Sequence, residues 1–434
     1  MMATKKNFEI AIIGGGIAGL SLAIALHHRN IPVKIYEQAP KFGEIGAGVS
    51  FSPNAVSGMK LCHQGIYDAF ERICTRNAWP SKQKVWFDYL DGCDKSLKEA
   101  GHQEAAFTIT SSIGQNGVHR ARFLEELVKL LPGDIANFGK RLKTISETES
   151  GKQEMHFEDG STAEADAVIG SDGIKSQVRK VMFGENHPCA HPSYTHKYAY
   201  RGLVPMDQAV NAIGEERGKN SCMHMGPGGH VLTFPVEHGK ILNVVAFRTD
   251  DDDWPDYSRL TRPAKREDAL KGFEGYGPNV IELLKLTKPD LDVWAIFDLA
   301  VNPVPQFNKG RVCIVGDAAH ATSPHHGAGA GFCIEDSLVM AELLADDQVR
   351  NAADIEAAFT AFDINRRERC QWLVRSSRFI GDAYEWRAPG VGDDFEKIES
   401  EINRRNGIIG NFDVEKGCKD AVQELAKLTR SSNL

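Results

Sequence analysis

Phe8-Glu-Ile-Ala-Ile-Ile-Gly-Gly-Gly-Ile-Ala-Gly-Leu-Ser-Leu-Ala-Ile-Ala-Leu26, with Ile35-Tyr36-Glu37 after it, decides the fold. The apolar run predicts a buried parallel strand, and the Ala/Leu-rich run predicts a helix. Between them Gly14, Gly16 and Gly19 have the Gly-x-Gly-x-x-Gly spacing. Gly14 permits a tight turn, Gly16 lets backbone approach a pyrophosphate, and Gly19 lets helix and strand pack closely. The helix N-terminus offers free N–H groups and partial positive charge to phosphate. Glu37 ends the second strand, where a carboxylate can accept hydrogen bonds from a ribose. Together these predict an α/β dinucleotide-binding unit, with FAD and NAD both open as the nucleotide.

The 434 residues, 42% hydrophobic and 25% charged, suffice for two cores. A formal net charge of -8 argues against nucleic acid as the main partner. Nine scattered cysteines without a C-x-x-C pair fit reduced thiols. No run reaches the ~18 apolar residues of a membrane span, and the N-terminus passes into the first strand without an apolar signal. The expectation is a soluble, cytoplasmic protein that binds neither membrane nor nucleic acid.

Further along, the glycine-rich loop Lys41-Phe-Gly-Glu-Ile-Gly-Ala-Gly-Val-Ser50 suggests backbone packed against something flat or phosphorylated, with Gly48 and Ser50 as candidate contacts; a flexible surface loop is the alternative. A helix is expected from about Ala55 to Glu71, and a strand meander over 138–169 turns at Asp159-Gly160. Residues 186–299 are strand-rich with a helical excursion near Arg266 to Leu286, and the buried strand Val312-Cys-Ile-Val315 follows. The pattern predicts a discontinuous nucleotide domain (1–78, 108–185, 300–385). A sheet-based substrate domain (79–107, 186–299) is inserted in it, and 386–434 forms a peripheral helical or irregular extension.

Three stretches together resemble the single-component FAD-dependent aromatic hydroxylases, the flavoprotein monooxygenases typified by para-hydroxybenzoate hydroxylase and salicylate hydroxylase. They are Gly14-x-Gly16-x-x-Gly19, Asp166-Ala-Val-Ile-Gly-Ser-Asp172-Gly173-Ile-Lys-Ser-Gln-Val-Arg179, and Gly316-Asp317-Ala-Ala-His320 with Pro324 and the glycines beyond. The likeness covers roughly residues 8–385 and looks nearest to the salicylate hydroxylase-like group and its fungal relatives. It implies a three-layer FAD-binding domain with an inserted substrate sheet, and assigns the opening unit to the ADP half of FAD. It further implies that Asp317 meets the ribityl chain, that backbone from Gly327 through Ala330 to Gly331 faces the pyrimidine edge, and that Arg120 contacts FAD. Asp172 would serve FAD and, indirectly, NADH or NADPH, or else cap a helix. No second Gly-x-Gly-x-x-Gly unit is present for the reductant, which in the family binds transiently.

The implied reaction is hydroxylation of a small phenol through a flavin hydroperoxide, with O2 and NAD(P)H consumed. A hydroxybenzoate such as salicylate, with or without decarboxylation, is the expected substrate. The alternatives are hydroxylative dearomatisation of a resorcinol-type phenol, and a flavin dehydrogenase or reductase that leaves oxygen alone. Candidate catalytic residues are Arg201, His325, His326 and Pro324. Arg201 can hold a carboxylate or phenolate bidentately, although a structural ion pair accounts for it equally well. His325 and His326 could relay the hydroxyl proton, whereas His320 reads as structural. Candidate substrate contacts are Arg201, His224 and Phe234, with His230 a further pocket histidine. Phe234 stands where dearomatising relatives often have tyrosine, which favours ordinary or decarboxylative hydroxylation. No cluster has metal-ligand spacing. A monomer or homodimer is expected.

Overall fold

The computed structural model describes residues 6–42 and 48–431, so positions 43–47 of the glycine-rich loop lie outside the described residues. Its frame is a six-stranded sheet in the order Asn308–Lys309, Val312–Ile314, Ala167–Gly170, Ile10–Ile13, Val33–Glu37, Ala136–Phe138. All pairings are parallel except the edge hairpin of Asn308–Lys309 with Val312–Ile314. The opening strand lies inside the sheet with all four residues buried, so it reads as an unbroken apolar run.

Helix Ile17–His27 packs against helix Gly329–Ala345, and ten of its eleven residues are buried. A helix apolar on every side belongs in a core. Two of the three fingerprint glycines admit no side chain, whereas the space beside Gly16 is open. Gly14 has φ +103°, and a Cβ there would lie 2.5 Å from the Ser171 carbonyl oxygen, while one on Gly19 would lie 2.0 Å from the Gly14 oxygen. A three-stranded antiparallel sheet, Leu142–Glu147, Gln153–Phe157 and Thr162–Ala165, adds a layer through Tyr36 and Phe157, whose rings stack at 5.1 Å. The Asp159-Gly160 turn joins its last two strands.

The second unit is an eight-stranded sheet, ordered Thr261–Lys265, Asp290–Asp298, Ser193–Pro205, Ile241–Thr249, Gly229–Val236, Cys222–Gly226, Val85–Asp91, Phe107–Thr110. It is antiparallel throughout except where Cys222–Gly226 meets Val85–Asp91. The expected boundary at 107 falls inside the strand Phe107–Thr110, which pairs with Val85–Asp91. One face of the sheet packs on helices Met206–Ile213, Arg266–Gly272 and Pro278–Lys285 around Phe273 and Leu283. The other face looks toward the nucleotide unit.

Two further expectations change. The single helix from Ala55 to Glu71 is two, Pro53–Cys62 and Gln64–Ile73, because His63 is extended (φ -170°) and its Nδ1 accepts the Gly65 N–H, capping the second. The segment beyond 386 is not peripheral. Helix Val414–Ser431 buries Val414, Cys418, Ala421 and Leu425 in the nucleotide core, and helix Phe395–Gly410 sends Ile398 and Ile402 to the sheet side. The 33-residue helix Ala352–Tyr384 runs between them.

Candidate active site

One cavity of about 680 Å³ runs from the Gly14–Gly16 turn, past Asp317, to the inner face of the eight-stranded sheet. At the nucleotide end Gly14, Gly16, Ile17 and Ala18 line it, so the start of helix Ile17–His27 faces the cleft. Gly19 does not line it; its place is under the turn. Glu37 lies on the wall, but its carboxylate also braces the turn: Oε2 accepts the Gly15 N–H and Oε1 the Ala39 N–H, both at 2.7 Å. Each oxygen retains lone-pair capacity toward a ribose. The tight turn at Gly14, the open space beside Gly16, the helix start and the adjacent acceptor fit the ADP half of FAD.

Asp172 also lines the cavity, with its carboxylate engaged as a helix cap that accepts the Gln177 and Val178 N–H groups at 2.7 and 3.0 Å. The same motif ends in Arg179, fully buried, whose guanidinium donates to the carbonyls of Ala318 and Ile174 at 2.7 and 2.6 Å. The Asp-Gly motif is thereby clamped to the Gly-Asp turn. Burial pushes the Arg179 guanidinium down to about 10.

Asp317 opens the short helix Asp317–His320 on the cavity wall. The turn is set from behind: Asp336 Oδ2 accepts the Gly316 N–H at 2.9 Å and meets His320 Nε2 at 2.6 Å, and its Oδ1 accepts from Arg366 Nε at 2.9 Å. Burial opposes ionisation of Asp336, but His320 and Arg366 outweigh it and hold the carboxyl at about 2. His320, Asp336 and Cys370 present ligand atoms within 4.8 Å of one another. Arg366 lies 3.7 Å from the Cys370 sulfur, so a guanidinium already supplies the cation there. Farther along, Gly327 (φ +65°), Gly329 and Ala330 line the cavity at the start of helix Gly329–Ala345. Backbone N–H groups at a helix start suit the electron-rich edge of a flavin.

The sheet end is a chamber walled by register. Arg201, Val245, Leu232, Met223 and Tyr89 form one row across the strands and all line it, with Phe247 in one neighbouring row and Phe234 and Phe87 in the other. Among the lining residues of this sheet, Arg201 carries the one charge. Its guanidinium lies 4.5 Å from the Trp294 ring centre, its Nε has no hydrogen-bond partner, and no carboxylate among the described residues pairs with it. Burial, and then the charge of Arg120 on the same cavity, lower Arg201 to about 10.

Pro324, His325 and His326 form the chamber's flavin-side edge. Both ring nitrogens of the buried His325 lack partners, and burial followed by His230, Lys197 and His326 holds it well below the usual histidine value. His326 Nε2 is tied to Ser376 Oγ at 2.9 Å, which Arg405 of the C-terminal segment also contacts at 2.8 Å; burial and Arg405 lower His326 to about 3.

His224 does not reach the chamber. It lies between the cavity-facing Met223 and the inward Met225 on one strand, so alternation turns it to the opposite face beside Val231. His230 does not line the cavity; it is buried on the same sheet face in the row of Phe247, on whose ring it stacks at 4.6 Å, with Nδ1 on Glu385 at 3.2 Å. Gly48 and Ser50 line the cavity, and a Cβ on Gly48 would lie 2.6 Å from the Phe234 ring, so this glycine answers to packing against the sheet. Sequence reasoning missed Met223, Phe247 and Tyr384 as wall residues; period-2 spacing along the strands was the signal available for the first two, whereas Tyr384 ends helix Ala352–Tyr384 and had none.

A dinucleotide cleft that opens onto an aromatic chamber, with the flavin's edge turn between them, defines a flavoprotein oxidoreductase. The model of the FAD binding domain family matches residues 7–377, and the chain belongs to that family. It is 46% identical to the FAD-dependent monooxygenase pigN of Monascus ruber, over 95% of each chain. It is 42% identical to the 6-methylsalicylate 1-monooxygenase atA of Aspergillus terreus, over 100% of this chain and 95% of that one. A solved salicylate hydroxylase substrate complex superposes with a TM-score of 0.83 at 35% identity, covering 96% of this chain and 98% of the other. The protein is an FAD-dependent aromatic hydroxylase, with NAD(P)H as the reductant typical of the family. No helix among the described residues is long and apolar enough to cross a membrane.

Proposed function

We propose that the substrate is a small phenolic acid of the hydroxybenzoate class, salicylate-like, hydroxylated with loss of carbon dioxide when oxygen enters at the carboxylate-bearing carbon. The observation that carries this is Arg201, a half-buried cation whose Nε is closed to solvent and which has no carboxylate partner among the described residues, on an otherwise uncharged, largely aromatic wall. A guanidinium turned into an apolar cavity calls for an anion, and a carboxylate or phenolate matches its fork. Phe87, Phe234 and Phe247 supply ring-sized apolar surface and exclude water. The salicylates in the names of its relatives agree with this choice.

FAD, when bound, supplies the two-electron chemistry with NAD(P)H and the activation of oxygen. This chain's residues do the rest. Arg201 fixes the ring, the wall orients the attacked carbon toward the Pro324–Gly327 turn, and His325 stands where a hydroxyl proton can be taken.

The test is a panel of hydroxybenzoates, phenols and resorcinols under labelled dioxygen, scored for NAD(P)H oxidation and product mass. Salicylate-type acids are expected to stimulate oxidation, with one labelled oxygen in the product; a net loss of about 26 mass units under 18O2, or about 28 under ordinary dioxygen, marks decarboxylative hydroxylation. Stimulation by neutral phenols but by no benzoate would remove the carboxylate from the proposal.

A further inference from the structure

We propose that His325, His230, Glu385 and Lys197 form a buried proton path from the chamber to solvent at Asp382. It rests on the phenolic substrate proposed above.

His325 is the chamber end: it lines the cavity, is buried, and neither ring nitrogen has a partner. Its ring meets that of His230 edge to face, with centres 5.2 Å apart. His230 Nδ1 lies 3.2 Å from Glu385 Oε1, so the carboxylate fixes Nδ1 as the protonated nitrogen and leaves a lone pair on Nε2. That Nε2 is itself buried without a partner. The other Glu385 oxygen accepts from Lys197 Nζ, which also lies 2.8 Å from Asp382 Oδ1. Side-chain exposure is 0% for His230 and Glu385, 6% for Lys197 and 39% for Asp382, so the chain of groups runs from the interior to water.

The helix end explains the assembly. Gly381 and Glu385 are i and i+4 neighbours. A Cβ on Gly381 would lie 2.4 Å from His325 Cδ2, so the turn that seats His325 also delivers the carboxylate that orients His230. A strap between helix and sheet would need Lys197 and Glu385 alone. It would have no use for two adjoining histidines with three partnerless nitrogens, one of them opening on the chamber.

The transfers balance. The substrate O–H bond breaks and its proton joins a free His325 nitrogen; the ring, turning about its two-fold terminal torsion, passes its other proton to His230 Nε2. The His230 Nδ1 proton moves to Glu385; the Lys197 ammonium gives one of its protons to Asp382, which releases it to water, and takes the proton from Glu385 in its place. One N–H or O–H bond forms for each that breaks, and the net change is phenol to phenolate with one proton released. His325 touches substrate; the others act through it.

Anaerobic holoenzyme, with FAD bound and no reductant, is mixed with 5-nitrosalicylate, whose phenolate absorbs visible light, beside a pH-indicator dye. Parent protein is expected to form phenolate and release a proton together. Glu385→Gln is expected to slow phenolate formation at least about tenfold and shift its pH profile, with affinity for the probe retained. Asp382→Asn, at the half-exposed end and with Lys197 still paired to Glu385, is expected to slow the dye signal. Unchanged rates in Asp382→Asn, or in Glu385→Gln that binds FAD normally, would overturn the path while leaving the phenolic substrate standing. Failure of the parent holoenzyme to bind hydroxybenzoates at all would overturn both.

Discussion

Asp336 holds the Gly316 backbone N–H at 2.9 Å from the far side of the flavin turn, within a cluster that includes His320 and Arg366 and is closed to solvent. Asp336→Ala leaves the buried His320 without its carboxylate and Arg366 with Glu335 alone, at 2.6 Å. Loss of about 3–5 kcal/mol of stability is expected, with reduced FAD per chain, read by denaturant unfolding and flavin absorbance. The pH dependence has a definite sign. A carboxyl depressed to about 2 contributes stability above its ordinary value near 4 and loses it as pH falls toward 2. The contribution is on the order of 2 kcal/mol, and the Asp336→Ala protein is expected to lack that acid limb.

Arg201→Ala is expected to keep its FAD, because Arg201 projects from the sheet and not from the nucleotide unit. Binding of a hydroxybenzoate should weaken about 30-fold or more, equivalent to about 2 kcal/mol. Flavin-fluorescence titration measures both. Equal affinity for benzoate and for neutral phenol before and after the change would show that Arg201 holds neither anion.

The nucleotide end was legible because its constraints are local. A turn in which Gly14 faces Ser171 and Gly19 faces Gly14 has to be written as glycines at fixed spacing, and the sequence shows it. Asp317 and the backbone from Gly327 were singled out by the family resemblance, and the structure puts Asp317, Gly327, Gly329 and Ala330 on the cavity wall. The chamber was less so, since Val245, Leu232, Met223 and Tyr89 become neighbours only through register across four strands. Glu385 and Lys197 meet across 188 positions, beyond any motif. His224 shows the hazard in one residue: a histidine one position from Met223 looks like a pocket residue until alternation turns it away.

His224 therefore gives a prediction opposite to that of a substrate contact. It is fully buried, neither nitrogen has a partner, and burial followed by Arg217 lowers it to about 3. Between pH 3 and its ordinary value near 6.5 the unfolded chain binds the proton and the folded one does not, so stability rises with pH across that window. His224→Leu should leave FAD content and turnover unchanged and flatten that rise. At neutral pH it is expected to be neutral or to stabilise by about 1 kcal/mol, because an apolar group of similar size replaces unmatched polar atoms. Thermal melts from pH 5 to 8 read the slope, and a loss of turnover would return His224 to the site.

Gly381 offers a test of the seat of His325 that needs no substrate. Within a helix Gly→Ala ordinarily stabilises by about 0.5–1 kcal/mol. At this position the new Cβ would lie 2.4 Å from His325 Cδ2, so the ring must leave its place, and overpacking of this kind costs about 1–3 kcal/mol. Gly381→Ala alone is expected to destabilise, whereas the same change made in a His325→Ala background has the ring removed and is expected to stabilise. The sign reversal between the two backgrounds, measured by denaturant unfolding as a double-mutant cycle, reports direct contact. Equal effects in both backgrounds would place the His325 ring away from the helix end, and with it away from Glu385.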